Sequence, residues 1–158
     1  MKLFYELYGL KTISLRYFNV FGPRQDPNSE YSAVIPKFIK EISEDKTPII
    51  YGDGEQTRDF TYVTNVVNAN LLAANSKKGF GESINIACGS RLSLNKLVEK
   101  INKILGKKSI PKYEETRQGD VKHSLADVKK AKEVLGYSYE IGFEQGLKLT
   151  IDSMRPHK

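Results

Sequence analysis

The chain has one cysteine, Cys88, in 158 residues. It cannot form an internal disulfide, and such sparse cysteine fits a reducing compartment. No apolar run approaches the length a bilayer span requires. The N-terminal stretch MKLFYELYGL has Glu6 inside its apolar run and no small-residue cleavage site, so it does not read as a signal peptide. These absences predict a cytoplasmic protein with no membrane partner. The two histidines, His123 and His157, lie far apart and have no supporting ligands nearby, so no metal site is read. No Ser/His/Asp or Cys/His arrangement stands out. Repeats, low-complexity tracts and long linkers are also missing.

What is present suits a globular domain. Hydrophobic residues make up 39% and charged residues 28%, the balance of one ordinary domain or one lobe of a larger one. The net charge of +6 raises a nucleic-acid reading. In SLNKLVEKINKILG, however, Leu94, Leu97, Val98, Ile101, Ile104 and Leu105 share a helical face, and Lys96, Lys100 and Lys103 lie off it. Lys77, Lys78 and the group Lys129, Lys130 and Lys132 read the same way, as diffuse surface charge. No nucleic-acid partner is therefore predicted, although a basic chain favours an anionic small ligand.

The elements alternate. Residues 1–8 read as the end of a helix stopped at Gly9, and Thr12–Phe18 as a strand. Ile35, Phe38, Ile39 and Ile42 space as a helix whose first turn tolerates Pro36. TPIIYGDGEQTRDFTYV reads as two short strands around a turn at Asp53-Gly54. Val63–Ser76 reads as a helix with Val66, Val67 and Ala74 inward. SINIA is a short strand, and the Leu94–Leu105 helix and a PKYEET strand come after it. Asp127 is placed to cap the helix VKKAKEVL, which ends at Gly136. Phe143, Leu147, Ile151 and Met154 mark a last helix. The class is α/β. A helix starting at Met1 without a cap, and a buried strand with few strands to cover it, predict a C-terminal portion of something larger. The apolar face of Thr12–Phe18 would then be exposed, with marginal stability as the expected cost.

Three motifs carry a resemblance: RYFNVFGPRQDP (Arg16–Pro27), YGDGEQTRDFTYV (Tyr51–Val63) and RQGDVKHSLAD (Arg117–Asp127). In this order and spacing the chain resembles the C-terminal half of an extended short-chain dehydrogenase/reductase. It is similar above all to the nucleotide-sugar epimerases, of the UDP-glucose and UDP-N-acetylglucosamine 4-epimerase type. The resemblance implies the end of a Rossmann domain plus a smaller substrate-binding lobe, in a parent that is a homodimer. It also implies an NAD cofactor that takes the hydride from the sugar C4 position and returns it to the other face, with a Tyr base and a Lys four residues on, as Tyr-x-x-x-Lys.

That machinery is missing from these 158 residues. None of the nine tyrosines has a Lys four residues further on, as Tyr-x-x-x-Lys requires, and no glycine set fits G-x-G-x-x-G. Gly79–Gly81 runs into Ile84, and Gly52–Gly54 into Thr57. The N-terminal Rossmann part is read as absent, no catalytic residue is assigned, and the chain is expected to bind a UDP-sugar without turning it over.

The resemblance also assigns roles by position. Phe18 lies near the nicotinamide, or is a plain core aromatic. Asn19 is the amide that hydrogen-bonds the nucleotide-sugar, or a turn-former after a strand. Ala33 and Val34 touch the uridine side, or merely open a helix. Tyr51 lies against the uracil, or fills a strand core. Arg58 and Arg117 grip the pyrophosphate with guanidinium forks, or pair ordinarily: Arg58 with Asp59, Arg117 with Glu114 or Asp120. Asp120 takes the ribose hydroxyls, or is a loop Asp. Ser124 faces the C2 substituent of the sugar, or is a loop serine.

Three other readings stay open. A nucleotide-sugar 4,6-dehydratase or decarboxylase shares QTRDF-YV. A non-catalytic nucleotide-sugar-binding module belongs to a different class. A nucleic-acid binder would need a salt-dependent affinity for duplex DNA.

The Ser124 assignment has a direct test. Serine is small enough to leave room for an acetamido group, which a Tyr would fill. In a full-length enzyme carrying this lobe, Ser124→Tyr should depress activity on the UDP-N-acetylhexosamine pair far more than on UDP-glucose. Equal losses would remove Ser124 as the gate.

Overall fold

A computed structural model describes residues 1–28 and 34–154. The chain runs α1 (Lys2–Tyr8), β1 (Ser14–Tyr17), β2 (Val20–Phe21), α2 (Val34–Ser43), β3 (Ile49–Tyr51), β4 (Thr57–Arg58) and β5 (Thr61–Tyr62). It continues with α3 (Val63–Asn75), β6 (Ser83–Ile86), β7 (Leu92–Ser93), α4 (Leu94–Leu105), β8 (Lys112–Glu114), α5 (Lys129–Leu135) and α6 (Phe143–Met154). The α/β class stands.

Helix ends follow local chemistry. Gly9, Gly106 and Gly136 take the left-handed conformation that stops α1, α4 and α5. The Ser93 hydroxyl accepts the Lys96 N–H and starts α4. Asp127 works one residue outside the expected cap position: Val128 is the cap residue of α5, and the Asp127 carboxylate accepts the Lys129 N–H at 2.8 Å.

Four two-stranded pairs make the sheet structure. β1 with β6, β2 with β5 and β3 with β8 are parallel, and β4 with β7 is antiparallel. The expected strands β3 and β4 are present, but they do not pair with one another. β3 takes β8, placing Ile50 opposite Tyr113, and β4 takes β7. The Asp53-Gly54 turn is instead fastened to the start of α4. The Asn95 N–H donates to the Gly54 carbonyl at 3.1 Å, and its Nδ2 donates to the Asp53 carbonyl at 3.1 Å and to Glu55 at 2.6 Å. A side chain on Gly54 would meet Asn95 at 2.1 Å, so glycine is required there for space as well as for its positive φ.

Two cores result. The larger joins Ile35, Phe38 and Ile42 of α2 to Leu97 and Ile101 of α4 and Ile151 of α6. Phe21, Phe60, Tyr62 and Phe143 make its aromatic end, with ring centroids 5.4–6.4 Å apart. The smaller packs Val66 and Ala69 of α3 and Ala131 and Leu135 of α5 on Ile84 and Ile86 of β6. Only Val66 of the three expected inward residues of α3 is buried; Val67 is 51% exposed and Ala74 is also exposed. The inward stripe runs through 66, 69 and 73, so residues 67 and 74, one position on, turn out of the core.

α1 has no buried residue although it is apolar on every side but the one carrying the Lys2–Glu6 pair, a pattern that belongs to covered helices. Leu7 is 63% and Tyr8 74% exposed. β1 is paired on one edge only among the described residues. The expected exposure of the first strand is found only at Tyr17, since Ile13 and Leu15 pack against the smaller core, and the exposed apolar surface lies mainly on the helix. The chain should bind anilinonaphthalene sulfonate and self-associate at high concentration. Leu3→Glu with Leu7→Glu should reduce both, and should change stability by no more than about 1 kcal/mol in urea unfolding. A double variant that binds the dye as strongly as the parent would refute this.

Candidate functional site

β3, the loop after it, α2 and the segment between β8 and α5 enclose a cleft of about 480 Å³. A smaller recess of about 200 Å³ shares Tyr51, Gln56 and Asp120 with it. Six of the residues read from sequence line the cleft: Asn19, Val34, Tyr51, Arg58, Arg117 and Asp120.

Asn19 ends the first strand with φ at +37°, a conformation asparagine tolerates. Its Nδ2 donates to the Asp59 carbonyl at 3.0 Å, and its own carbonyl accepts the Thr61 N–H at 3.2 Å. The turn-forming role and the place at the cleft therefore coexist. Oδ1 has no partner among the described residues.

Tyr51 closes β3, and the Arg117 guanidinium lies 3.8 Å above its ring. This is a cation–π stack, and it replaces the alternative pairing with Glu114 or Asp120. Arg58 donates through Nη1 to the carbonyls of Thr57 at 3.0 Å and Val121 at 2.6 Å, and through Nη2 to Asp120. The alternative pairing of Arg58 with Asp59 does not occur. Arg58 does form an ion pair, with a carboxylate that is itself part of the cleft. The loop carrying Arg117 and Asp120 is thus fastened across the cleft at two points.

Two expected residues stand elsewhere. Phe18 is half-buried beside β6, its N–H donating to the Ile86 carbonyl at 3.2 Å, and it does not line the cleft. Ser124 donates its N–H to the Thr57 carbonyl at 3.0 Å and also lies outside the lining. Ala33 falls outside the described residues. His123 faces the Thr57 hydroxyl through Nδ1 at 3.1 Å. His157 lies outside the described residues.

The sequence reading missed several contributors. Lys37 lines the cleft three residues after Val34, on the same face of α2. Gln56 and Phe60 sit inside the quoted YGDGEQTRDFTYV motif but were not singled out. Asp59 was considered only as an ion-pair partner. It is fully buried, and Oδ1 accepts the Cys88 N–H at 3.2 Å while Oδ2 accepts those of Gly89 at 3.0 Å and Ala126 at 3.3 Å. Burial raises its pKa, and those backbone donors oppose the rise. Burial, with the Asp59 charge adding to it, pushes the neighbouring Cys88 thiol up to about 11, so the cysteine is not a poised nucleophile.

A mixed α/β scaffold with an arginine-rich, aromatic-floored cleft defines a protein suited to an anionic ligand with a flat ring. The comparisons narrow this. Residues 2–87 match the NAD dependent epimerase/dehydratase family. Over 155 residues the chain is 42% identical to the putative UDP-glucose 4-epimerase of Methanocaldococcus jannaschii, covering 98% of this chain and 49% of that protein. It is 35% identical over 157 residues to the UDP-N-acetyl-alpha-D-glucosaminuronate decarboxylase of Bacillus cytotoxicus, covering 96% and 48%. Among solved structures it superposes on the UDP-N-acetylglucosamine 4-epimerase of Methanobrevibacter ruminantium, in complex with UDP-N-acetylmuramic acid. That match has a TM-score of 0.90 and 47% identity and covers 96% of this chain and 48% of the other. The chain belongs to the NAD dependent epimerase/dehydratase family. It spans about half the length of the relatives it matches.

Asp59→Asn tests the buried carboxylate. An amide NH₂ in place of one oxygen would face a backbone N–H, so the variant should lose about 2–3 kcal/mol in urea unfolding near neutral pH. Burial raises the folded-state pKa above the ordinary 3.8. The stability tied to this group is therefore fully present below that value and is lost as pH rises through the raised one. The gap between wild type and variant should narrow as pH rises across that window. A gap that widens would refute the assigned shift.

Proposed function

We propose that this chain forms the nucleotide-sugar-binding portion of a UDP-sugar 4-epimerase. The observation that carries the reading is the convergence of Arg58, from β4, and Arg117, from the loop after β8, on one cleft floored by Tyr51. A pyrophosphate offers many acceptor oxygens, and two guanidinium groups can hold it from two sides. Arg58 is held in place by Asp120 and two carbonyls, so little side-chain entropy remains to be lost on binding. Tyr51 provides a flat surface for the base, and Arg117 now occupies one side of its ring. Asn19 is near the sugar end, where an amide suits hydroxyls because it both donates and accepts. The second carboxylate oxygen of Asp120 takes ribose hydroxyls.

The sugar is assigned as UDP-N-acetylglucosamine and its C4 epimer, with UDP-glucose tolerated, on the motif resemblance alone, which puts the small Ser124 at the sugar's C2 substituent although Ser124 lies outside the cleft lining. A decarboxylase or dehydratase is the second reading, kept because the decarboxylase of Bacillus cytotoxicus is a 35% identical relative. The cofactor of the family would supply hydride chemistry. The described residues offer it only Phe18, without a Gly-rich phosphate turn or a Tyr/Lys pair, and so do not make an NAD site by themselves. No catalytic step is assigned to this chain.

Calorimetric titration with UDP and UDP-sugars is the test. Saturable binding is expected. Arg58→Ala and Arg117→Ala should each weaken it by roughly tenfold or more, the loss typical of a charge-assisted hydrogen bond. The chain mixed with NAD should not interconvert C4 epimers. Absent UDP binding, or binding indifferent to both arginines, would overturn the site. Measurable epimerisation would overturn the inactive reading.

A further inference from the structure

Arg58 and Phe60 line two cavities, the cleft and a further recess of about 140 Å³. Phe60, Leu92 and Phe143 supply the apolar part of this recess, and Ser90, Arg91, Lys100 and Glu144 its remaining polar groups. Lys100 of α4 pairs with Glu144 of α6, so those two charges largely cancel. Arg91 has no such balance. Neither its guanidinium nor the Ser90 hydroxyl has a partner among the described residues. The loop that carries them is nonetheless fixed at both ends. The N–H groups of Cys88 and Gly89, just before it, donate to the buried Asp59 carboxylate at 3.2 and 3.0 Å. Leu92, just after it, lies opposite Arg58 in the pair of β4 with β7. Two unspent donors on a held backbone thus share one recess with a second guanidinium. Asp120, which balances Arg58, lines the cleft and not this recess. The recess is therefore net positive, and guanidinium groups with donors to spare suit a tetrahedral oxyanion.

We propose that this recess is a second anion site, for a single phosphate-type group, and that filling it weakens the hold of the cleft on a nucleotide diphosphate through the guanidinium the two cavities share. The site stands on the recess alone; the coupling rests on the nucleotide-sugar reading given above. Two anions drawn to one guanidinium each take part of its charge, and they repel one another across it. Coupling between two ligands is reciprocal, so a nucleotide in the cleft loosens the phosphate by the same factor. Arg91 holds the anion in the recess and takes no part in the cleft, whose lining does not include it.

The test titrates the 158-residue chain with inorganic phosphate at an ionic strength held constant with chloride. Glucose 1-phosphate is titrated in the same way, and the tighter of the two identifies the source of the phosphoryl group. Arg91→Ala should weaken phosphate roughly three- to fivefold, the loss expected of an exposed charge-assisted contact. Glu144→Gln removes the one opposing charge and should tighten it. Both positions are exposed, so the variants should fold, and thermal melting checks this. UDP is then titrated with and without saturating phosphate. Phosphate should weaken UDP about fivefold in the wild type, the lower end of ordinary coupling, and much less in Arg91→Ala, whose UDP affinity without phosphate should match the wild type. Equal phosphate binding by the wild type and Arg91→Ala, or weaker binding by Glu144→Gln, would overturn the recess as a site. No effect of phosphate on UDP, or the same effect in both proteins, would overturn the coupling. If UDP does not bind at all while phosphate still separates the variants, the coupling falls with the nucleotide-sugar reading and the recess site stands.

Discussion

The Asp59 carboxylate is buried among backbone N–H groups, and the geometry of the cleft depends on it. Its partners, Cys88, Gly89 and Ala126, come from the loop after β6 and from the approach to α5, 29 to 67 residues away in sequence. Those segments have no regular partners of their own at these positions, and burying their N–H groups unpaired would be costly. An acceptor-only side chain with two oxygens meets three such donors, which neither an amide nor a hydroxyl can do. Arg58, one residue earlier, reaches the opposite way and holds Asp120 and the Val121 carbonyl. Two adjacent residues on an extended segment thus divide the work: one organises the interior and the other arms the cleft.

The electrostatics of the cleft follow from that division. Arg58 is balanced by Asp120 and Arg117 is spread over the Tyr51 ring, with Lys37 at the wall. The cations are fixed in place but incompletely neutralised, which favours an anion while sparing the fold a cluster of unpaired charge. The +6 net charge adds little to this. Several lysines are paired on the surface, Lys107 with Asp45 at 2.6 Å and Lys130 with Glu82 at 2.8 Å among them, and such exposed pairs contribute little energy.

What could be read from sequence tracks the range of the interactions involved. α4 was legible from its apolar spacing, which lies within the helix; its Ser93 cap and Gly106 stop are equally local but were not singled out. The Asp53-Gly54 turn and the short strands around it were legible, but not their partners: the partner of β3 is β8, with Ile50 opposite Tyr113. A parallel partner that distant leaves no local trace. β2, β5 and β7, two residues each, are too short to show any period. In the site, Tyr51, Arg58, Arg117 and Asp120 were legible through their motifs, and the structure brings all four to one cleft. Gln56 and Asp59 sit in those same motifs but were passed over. Their partners are backbone groups, and no side-chain type in the sequence marks a backbone N–H as needing one. Phe18 and Ser124 were assigned by position in a motif, and the cleft forms without either in its lining.

The two cores differ in how far each is self-sufficient. The larger is enclosed by α2, α4 and α6, and it supplies the apolar part of the cleft wall through Val34, Phe38, Ile50, Phe60 and Leu94. The smaller rests on a two-stranded parallel sheet, below what usually stands alone, since parallel strands are normally buried on both faces. α1 extends from that weaker side with no buried residue. Asp59 sits where the two meet, with Phe60 of the larger core next to it in the chain and the loop leaving β6 of the smaller core bonded to its carboxylate. The loop that closes the cleft is pinned by Arg58, through Asp120 and the Val121 carbonyl, and by the stack of Arg117 on Tyr51, rather than by the sheet. The cleft geometry can then persist while the α1 side remains open.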